Sequence, residues 1–446
     1  MPTALFSIGR SGLNASRLSL ELTAQNIANA GNADFARRSI KQSELVGSGN
    51  IALNTADSFG GVRLSGIDRA QSALLQRQAR DSAAALASTS AELRALKSAE
   101  TALERTRLYD ALVGFEAAFT RLESDPTSAP LRTAALESAR QLVGTFNTAD
   151  ESLANARRLT IGEAEADVLT INTLTDDLAR INREMVAARD GSAGKAALLD
   201  SRDAALARLA EQIGISASFN PDGTVLVNAN GTPTTTLVDG GTNAVFGITV
   251  GADGTLDFAI DGAGFVPASG AMAGRAAALQ AKADLQVQLD ALAADVIGII
   301  NTAQSTGSDL AGNPGAAVFS GTGAGTIAVV MTSGKGLATA PAGAPAGNRD
   351  TANLAAMLAA LGGASGPVEG ANTLLLQLSS RVAGLELRRE GLSVVAASAR
   401  EELARETGVD LDNEAANLVQ LQRAFEANSR VIQVAADLFD TILALR

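Results

Sequence analysis

Residues 411–442 read LDNEAANLVQLQRAFEANSRVIQVAADLFDTI, and their spacing decides the architecture. Leu411, Leu418, Phe425, Ile432 and Phe439 stand seven apart. Leu421, Ala435 and Ile442 take the second seam position, with Asn428 as its polar exception. An apolar repeat of seven keeps one narrow stripe of a helix against a partner helix. The other end of the chain has the same period in Phe6, Leu13, Leu20 and Ile27, with Ser16 and Thr23 in the second position. A helix of about 25 residues, roughly 40 Å long, with so one-sided a stripe is marginal alone. Each end is therefore expected to bury its stripe on the other, or on the same element of neighbouring copies. The first forty residues are slightly basic (Arg10, Arg17, Arg37 and Arg38 against Glu21 and Asp34) and the last forty are acidic. That match is screened by salt and steers association more than it stabilises it.

Composition narrows the function classes. The 446 residues correspond to roughly two to four domains. Apolar residues make up 46% but aromatics only 3%, so much of the core is Ala, which suits extended helical packing over one thick core. A formal charge of −12 without any Lys/Arg-rich run argues against nucleic acid as a partner. With neither Cys nor His, disulfides, thiolate zinc sites, Cys nucleophiles and His bases are excluded. The absence of Cys does not choose a compartment. The N-terminus lacks the basic-then-apolar pattern of a secretory signal, and no run of about 20 apolar residues predicts a membrane span.

Between the ends the period changes twice. Residues 31–70 are rich in Gly, Ser, Asn and Asp and read as irregular, with one strand candidate at GVRLSGI (61–67). Helical spacing follows from Gln71 to about Arg107, then in LYDALVGFEAAFTRL (108–122), with Leu108, Leu112, Phe115, Phe119 and Leu122 on one face. SDPTSAP (124–130) breaks it, a long helix runs from Leu131 to about Ala187, and another covers 197–215. ISASF, TVLV, TTTLV, AVFGITV and TLDFAI, separated by NPDG, NANGTP, DGGTN and GADG, predict a small β insertion over 215–268. Helix returns at Met272–Asn301. Residues 305–350 are expected to be loops or the remainder of the β part, and a long helical region follows from about Thr373. The fold class is thus mainly α with a β insertion. Its expected domains are terminal helices at 1–33 and 408–446, a helical bundle at 34–213, 272–304 and 351–407, and a β-rich outer domain at 214–271 with 305–350.

No motif carries catalytic or ligand chemistry, so no metal or cofactor is expected. DLDNE (410–414) lacks the spacing and Gly of a calcium loop; Asp410 or Asp412 as a helix N-cap, with Glu414 in the first turn, explains it. GTGAG (321–325), DGSAGKA (190–196) and TSGKGLA (332–338) do not have the spacing of a phosphate cradle and read as loops. Asp200, Arg202 and Asp203 in LLDSRD read as a solvated ion network of small energetic weight.

SIGRSGLNASRLSLELTAQNIANAGNADFARR (7–38) resembles the N-terminal signature of bacterial flagellar axial proteins, S-G-L-x-A…T-x-x-N-I-A-N…T-x-G-Y-x-R. Ser11, Gly12, Leu13, Ala15, Thr23, Asn26, Ile27, Ala28, Asn29 and Arg37 match it. Asp34 and Phe35 stand in place of its Gly and Tyr, so the turn after the helix is where the match departs. GVDLDNEAANLVQLQRAFEANSRVI (408–432), with Glu414 and Asn417, resembles the C-terminal signature of the FlgK family of hook-associated proteins. LLDSRDAALARLAEQIGI (198–215) and NTAQSTGSDLAGNPGAAVF (301–319), with Gln304 near a position that is often His, resemble internal motifs of that family. The resemblance implies a non-enzymatic structural protein of the hook–filament junction, exported to the extracellular flagellum without a cleaved signal. It implies partners in copies of itself in a ring-like zone, hook protein, the second hook–filament junction protein, and an export chaperone at the C-terminal helix. Another axial protein (second junction, hook or rod protein), or a secreted adhesin on a helical stalk, are the competing readings. Asn26 and Asn29 are open as polar contacts between subunits, with helix ending the alternative for Asn29, whereas Asn32 is expected to help end the helix.

Overall fold

In the computed structural model, residues 2–44 and 60–444 are described; the stretch 45–59 of the expected irregular region, and the Ile442 side chain, lie outside them. Among the described residues nine α-helices carry the chain: α1 (Pro2–Asn29), α2 (Ala73–Thr106), α3 (Leu108–Ser124), α4 (Ala129–Ala187), α5 (Ala193–Gln212), α6 (Ala271–Ser305), α7 (Ala352–Leu361), α8 (Pro367–Thr407) and α9 (Leu411–Ala444). The chain divides into two compact units. The first comprises Met1–Ala85, Thr170–Phe246 and Leu392–Arg446, the second Leu86–Leu169 and Gly247–Gly391.

In the first unit, α1 and α9 form an antiparallel pair. Gly9 lies beside Ile432 and Asn428, while Phe6 and Phe439 line one groove nearer the free end. Next to them, β1 (Arg38–Glu44) and β2 (Val62–Arg69) form an antiparallel ribbon with a bulge between Lys41 and Gln42. Only β2 coincides with the strand expected from the sequence. β1, RSIKQSE, has a single large apolar residue, so no alternating pattern announces it. Two glycines let the bulge meet the loop before α5. Gly66 and Gly191 both have positive φ (146° and 68°), and a Cβ on Gly66 would lie 2.7 Å from the Gly191 Cα. The Ile67 N–H donates to the Gly191 carbonyl across this contact at 2.8 Å.

The final turns of α4 pack on a four-stranded antiparallel sheet in the order β3 (Ile215–Phe219), β4 (Val225–Ala229), Thr235–Asp239, Thr242–Asn243. β4 alternates buried and half-buried residues, as a strand with one covered face must. Two asparagines of α4 pair with strand backbone. Asn182 Nδ2 donates to the Val225 and Gly240 carbonyls (2.8 and 2.7 Å), its Oδ1 accepts from the Val225 N–H (2.9 Å), and Asn172 binds Phe246 in the same way.

The second unit has one continuous apolar core from α2, α3, α4, α6, α7 and α8. The face expected for α3 is the buried one, with Phe115 and Phe119 ring centroids 4.7 Å apart. α2 and α3 meet at Arg107, a non-glycine residue held at φ 56°. The loop of 305–350 lies on this core: Val318, Phe319, Ile327 and Leu337 join its cluster, with Phe319 6.1 Å from Phe115. Glycines 323 and 325 bring the GTGAG segment onto carboxylates rather than phosphate. The Ala324 N–H donates to Asp290 Oδ1 at 2.8 Å, and Asp150 lies against Gly325. Leu256–Ile260 and Ala263–Pro267 form a hairpin whose turn, Asp261–Gly262, has positive φ at both residues (50° and 79°), the two-residue turn favoured by strand twist. Its second strand is not among those expected from the sequence, because Gly264 and Pro267 disguise it.

Among the described residues two buried cations of this core, Arg132 and Lys282, have no carboxylate in ion-pair contact. Arg132, 1% exposed, donates to the carbonyls of Pro126, Leu337 and Gly334 and to Thr339 Oγ1, tying down residues 334–339. Lys282, fully buried on α6, donates from Nζ to the Ala156 carbonyl (2.8 Å) and Thr160 Oγ1 (2.7 Å) on α4. Burial pushes the Lys282 ammonium down from 10.5 to about 8. The folded chain therefore holds this proton more weakly than the unfolded chain. The cost is fully present below pH 8 and disappears as pH rises toward 10.5. Lys282→Met is expected to stabilise the protein at pH 7 by on the order of 2 kcal/mol, with the difference from wild type shrinking by about pH 10. Urea unfolding of both proteins at the two pH values measures this; a difference independent of pH would contradict the assignment.

Candidate assembly site

The α1–α9 pair is built inside-out with respect to residue size. On α1 the buried residues are Gly9, Ser16 and Thr23, seven apart, with Ala15, Leu22 and Asn26. On α9, Glu414 and Ala435 are buried, and Leu421 and Asn428 between them are half-buried, again at a period of seven. These are the second seam positions on both helices. The larger stripes lie at the margin: Leu13, Leu20, Ile27, Leu418, Phe425 and Ile432 are half-buried, while Phe6 (45%), Leu411 (54%) and Phe439 (48%) are exposed. The reason is close approach. A Cβ on Gly9 would come within 2.8 Å of Ile432 Cγ1, and one on Gly12 within 2.6 Å of Asn428 Oδ1. Asn428 reaches across to Ser16 Oγ at 3.4 Å. Small residues bring the backbones together, and the bulky side chains then no longer fit between them.

The motif residues of the two ends converge where α1 gives way to β1. Asn26 Nδ2 donates to the Arg38 carbonyl (2.9 Å) and its Oδ1 accepts from the Arg38 N–H (3.1 Å), so Asn26, 1% exposed, completes the edge of β1. Asn29 Nδ2 donates back to the Gln25 carbonyl at 2.8 Å, and Asn32 Oδ1 accepts from the Asp34 N–H at 3.1 Å, so both act locally where α1 ends. Asp34 does not take positive φ, so the turn has no need of the signature Gly. Ala28 and the Arg37 side chain are exposed, but the Arg37 N–H donates to the Thr407 carbonyl at the end of α8 (2.8 Å). Asp410 is the N-cap of α9, its Oδ1 accepting from the N–H groups of Asp412 (2.9 Å) and Asn413 (3.2 Å). One turn on, Glu414 (3% exposed) and exposed Asn417 line a pocket of about 320 Å³ with Thr23, Leu22 and Arg37.

The LLDSRD segment corrects the sequence expectation: its charges are buried, not solvated. Asp200 accepts from Arg38 and Arg69, each at 2.6 Å; Asp203 pairs with Arg69 (2.9 Å) and Arg202 (2.7 Å) and accepts from Gln76 Nε2 (2.8 Å). Side-chain exposure across this network is 5–13%. Arg202 also stacks on Phe219, 4.3 Å from the ring centroid. Burial lowers the Arg80 guanidinium beside Asp203, with that carboxylate acting in the opposite direction. The network fixes the β1–β2 ribbon to α5 and thereby positions the base of the α1–α9 pair. Its signal in the sequence is the carboxylates of a single helix; the arginines that neutralise Asp200 lie 131 and 162 residues away.

Asp200→Asn leaves two buried guanidinium groups short of a partner and is expected to cost about 3–5 kcal/mol. Asp177→Asn, in the exposed Arg180–Asp177 pair, is expected to cost less than about 1 kcal/mol. Urea midpoints of the two variants test the contrast, and equal losses would refute it.

Among the described residues no group of carboxylates could hold a metal ion, and no helix is long and apolar enough to cross a membrane. The family described as flagellar hook-associated protein FlgK helical domain matches residues 95–319, half of the chain, and that of the flagellar basal body rod FlgEFG protein C-terminal matches 405–445. The chain is 22% identical to flagellar hook-associated protein 1 of Bacillus subtilis, with 97% of this chain and 96% of that one covered. It is 26% identical to the protein of the same name from Salmonella typhimurium over 54% of this chain and 43% of the relative. The solved structure of the flagellar hook junction protein FlgK from Burkholderia pseudomallei superposes with a TM-score of 0.64 at 11% identity, covering 73% of this chain and 99% of that one. With mainly helical units, a small β part, and terminal helices matched to an axial-protein signature, the chain belongs to the flagellar hook-associated protein FlgK family, structural proteins of the hook–filament junction.

Proposed function

We propose that the α1–α9 pair is the element by which this junction protein joins copies of itself into a ring-like zone. The observation that carries the reading is the inverted seam: a helix pair that buries Gly, Ser and Ala presents Phe6, Leu411, Val434, Leu438 and Phe439 outward. Exposed apolar residues grouped as Phe6 and Phe439 are in one groove mark interfaces, and a second copy covers them. The two faces also differ in charge. α1 carries Arg10 and Arg17 against Glu21, a net of +1, and α9 carries five carboxylates (Asp412, Glu414, Glu426, Asp437, Asp440) against Arg423 and Arg430, a net of −3. Unlike faces in contact give head-to-tail interfaces, which close into rings or continue as helices.

In this reading segments 1–33 and 408–446 line the inside of the tube, and the helical and β-rich segments lie outward. Hook protein is the neighbour on one side and the second hook–filament junction protein on the other. Before assembly an export chaperone covers the open face of α9, and the chain leaves the cell without a cleaved signal. The role is one of scaffold rather than catalyst.

Phe425→Asp places a charge at the margin of the open stripe. It is expected to leave the folded middle and its export unchanged and to abolish incorporation into hooks. Deleting the gene is expected to leave hooks without filaments and to shed filament subunits into the medium, as seen by negative-stain microscopy and immunoblotting. Normal filaments in the deletion strain, or normal incorporation of the variant, would overturn the reading.

A further inference from the structure

Glu414 is 3% exposed, and among the described residues its carboxylate has no hydrogen-bond or ion-pair partner, although its oxygens keep some open surface. It lines the pocket of about 320 Å³ at the junction of α1, β1 and α9. The other walls bring acceptors: the Ser19 and Thr23 hydroxyls and the amides of Asn417 and Gln420. Arg37, at the exposed rim, and Arg38 also line this space; Arg38 is taken up by Asp200, and among the described residues neither forms an ion pair with Glu414. An unpaired carboxylate beside hydroxyl and amide oxygens, in a pocket whose own arginines do not pair with it, fits a planar, multiply donating cation.

We propose that this pocket is a socket for an arginine of a second copy, and that Arg17 of α1 is the arginine it takes. The proposal rests on the assembly reading above and names the contact that sets its register. Arg17 is exposed and lies four residues after Leu13, at the margin of the stripe that the chain leaves open. Charged side chains flanking an apolar seam select partner and register in helix pairs. Among the described residues Arg17 forms no ion pair, even with Glu21 one turn on, and it does not line its own chain's pocket. Arg10, seven residues earlier, is the weaker candidate because it shares a groove with Asp440 of the same chain. The pocket is walled by α9, β1 and the Ser19–Thr23 flank of α1, and Arg17, although on α1, lies outside that lining, so their pairing joins unlike faces, as a head-to-tail contact requires.

The test uses the full chain in its host lacking the native copy. Incorporation is read by antibody labelling of isolated hooks and normalised to the amount exported. Glu414→Gln, which keeps shape and removes charge, and Arg17→Glu are each expected to lower incorporation at least about tenfold, the effect of removing one partner of a buried charge pair. Arg17→Glu combined with Glu414→Lys is expected to restore it. Rescue of Glu414→Lys by Arg37→Glu instead would place the partner within the chain and overturn the proposal. Loss in both single variants with no rescue by the Arg17 exchange would overturn it as well. Normal incorporation of Glu414→Gln while Phe425→Asp is excluded would sink the socket and leave the assembly reading standing. Normal incorporation of both would sink the two together.

Discussion

The close approach in the terminal helix pair, where Gly9 and Gly12 of α1 meet Asn428 and Ile432 of α9, is the constraint on which the protein's outward chemistry depends. Where the backbones come this near, small or short polar groups stand between them, and Gly9, Ser16, Thr23 and Ala435 supply them. The Asn428–Ser16 contact adds polar definition to the seam. Leu, Ile and Phe at the neighbouring heptad positions are then left at the edges, where much of their contact surface is unused. The pair is closely packed within and apolar at its margins, a combination suited to an element that folds with its own chain and then seeks another.

The rest of the first unit serves to hold that pair in place. Asn26 substitutes for a neighbouring strand at Arg38, the Arg37 backbone is held by Thr407, and the Asp200–Asp203 network takes up the Arg38 and Arg69 side chains. Buried pairs of this kind add little net stability relative to an apolar core, but breaking one partner is expensive, so they penalise any other arrangement of the ribbon. The motif positions divide accordingly: Asn26 and Asn29 serve the chain's own backbone, whereas Leu13, Phe425 and Glu414 retain surface or pocket that the single chain does not fill.

The helices, their breaks and most strands are legible in the sequence because each is announced locally, by a period, a cap or a Gly/Pro break. α3 and α4 show this, as does the strand run from Ile215 to Ile260. What is not legible depends on distance or on size. The heptads place two stripes on each terminal helix, and apolar content favours the larger one as the inner seam; the fold buries the smaller, since approach distance is a property of the pair. β1 lacks an apolar pattern because side-chain clamps and not a core hold it. The Asp200 network stays hidden because its arginines come from a different part of the chain. The flagellar resemblance, by contrast, lies in contiguous terminal motifs, and so can be read from the residues alone.

The central claim is that the outer stripe of the α1–α9 pair is covered by neighbouring copies. Because the chain contains no Cys, single cysteines at Leu411 and Phe439 can be followed without background by maleimide labelling. Labelling of the free monomer and of isolated hook–filament junctions would each be normalised to the denatured chain. The account predicts ready labelling of both positions in the monomer and strong protection in the junction. Equal labelling in the two states would show that the stripe stays open after assembly and would contradict it.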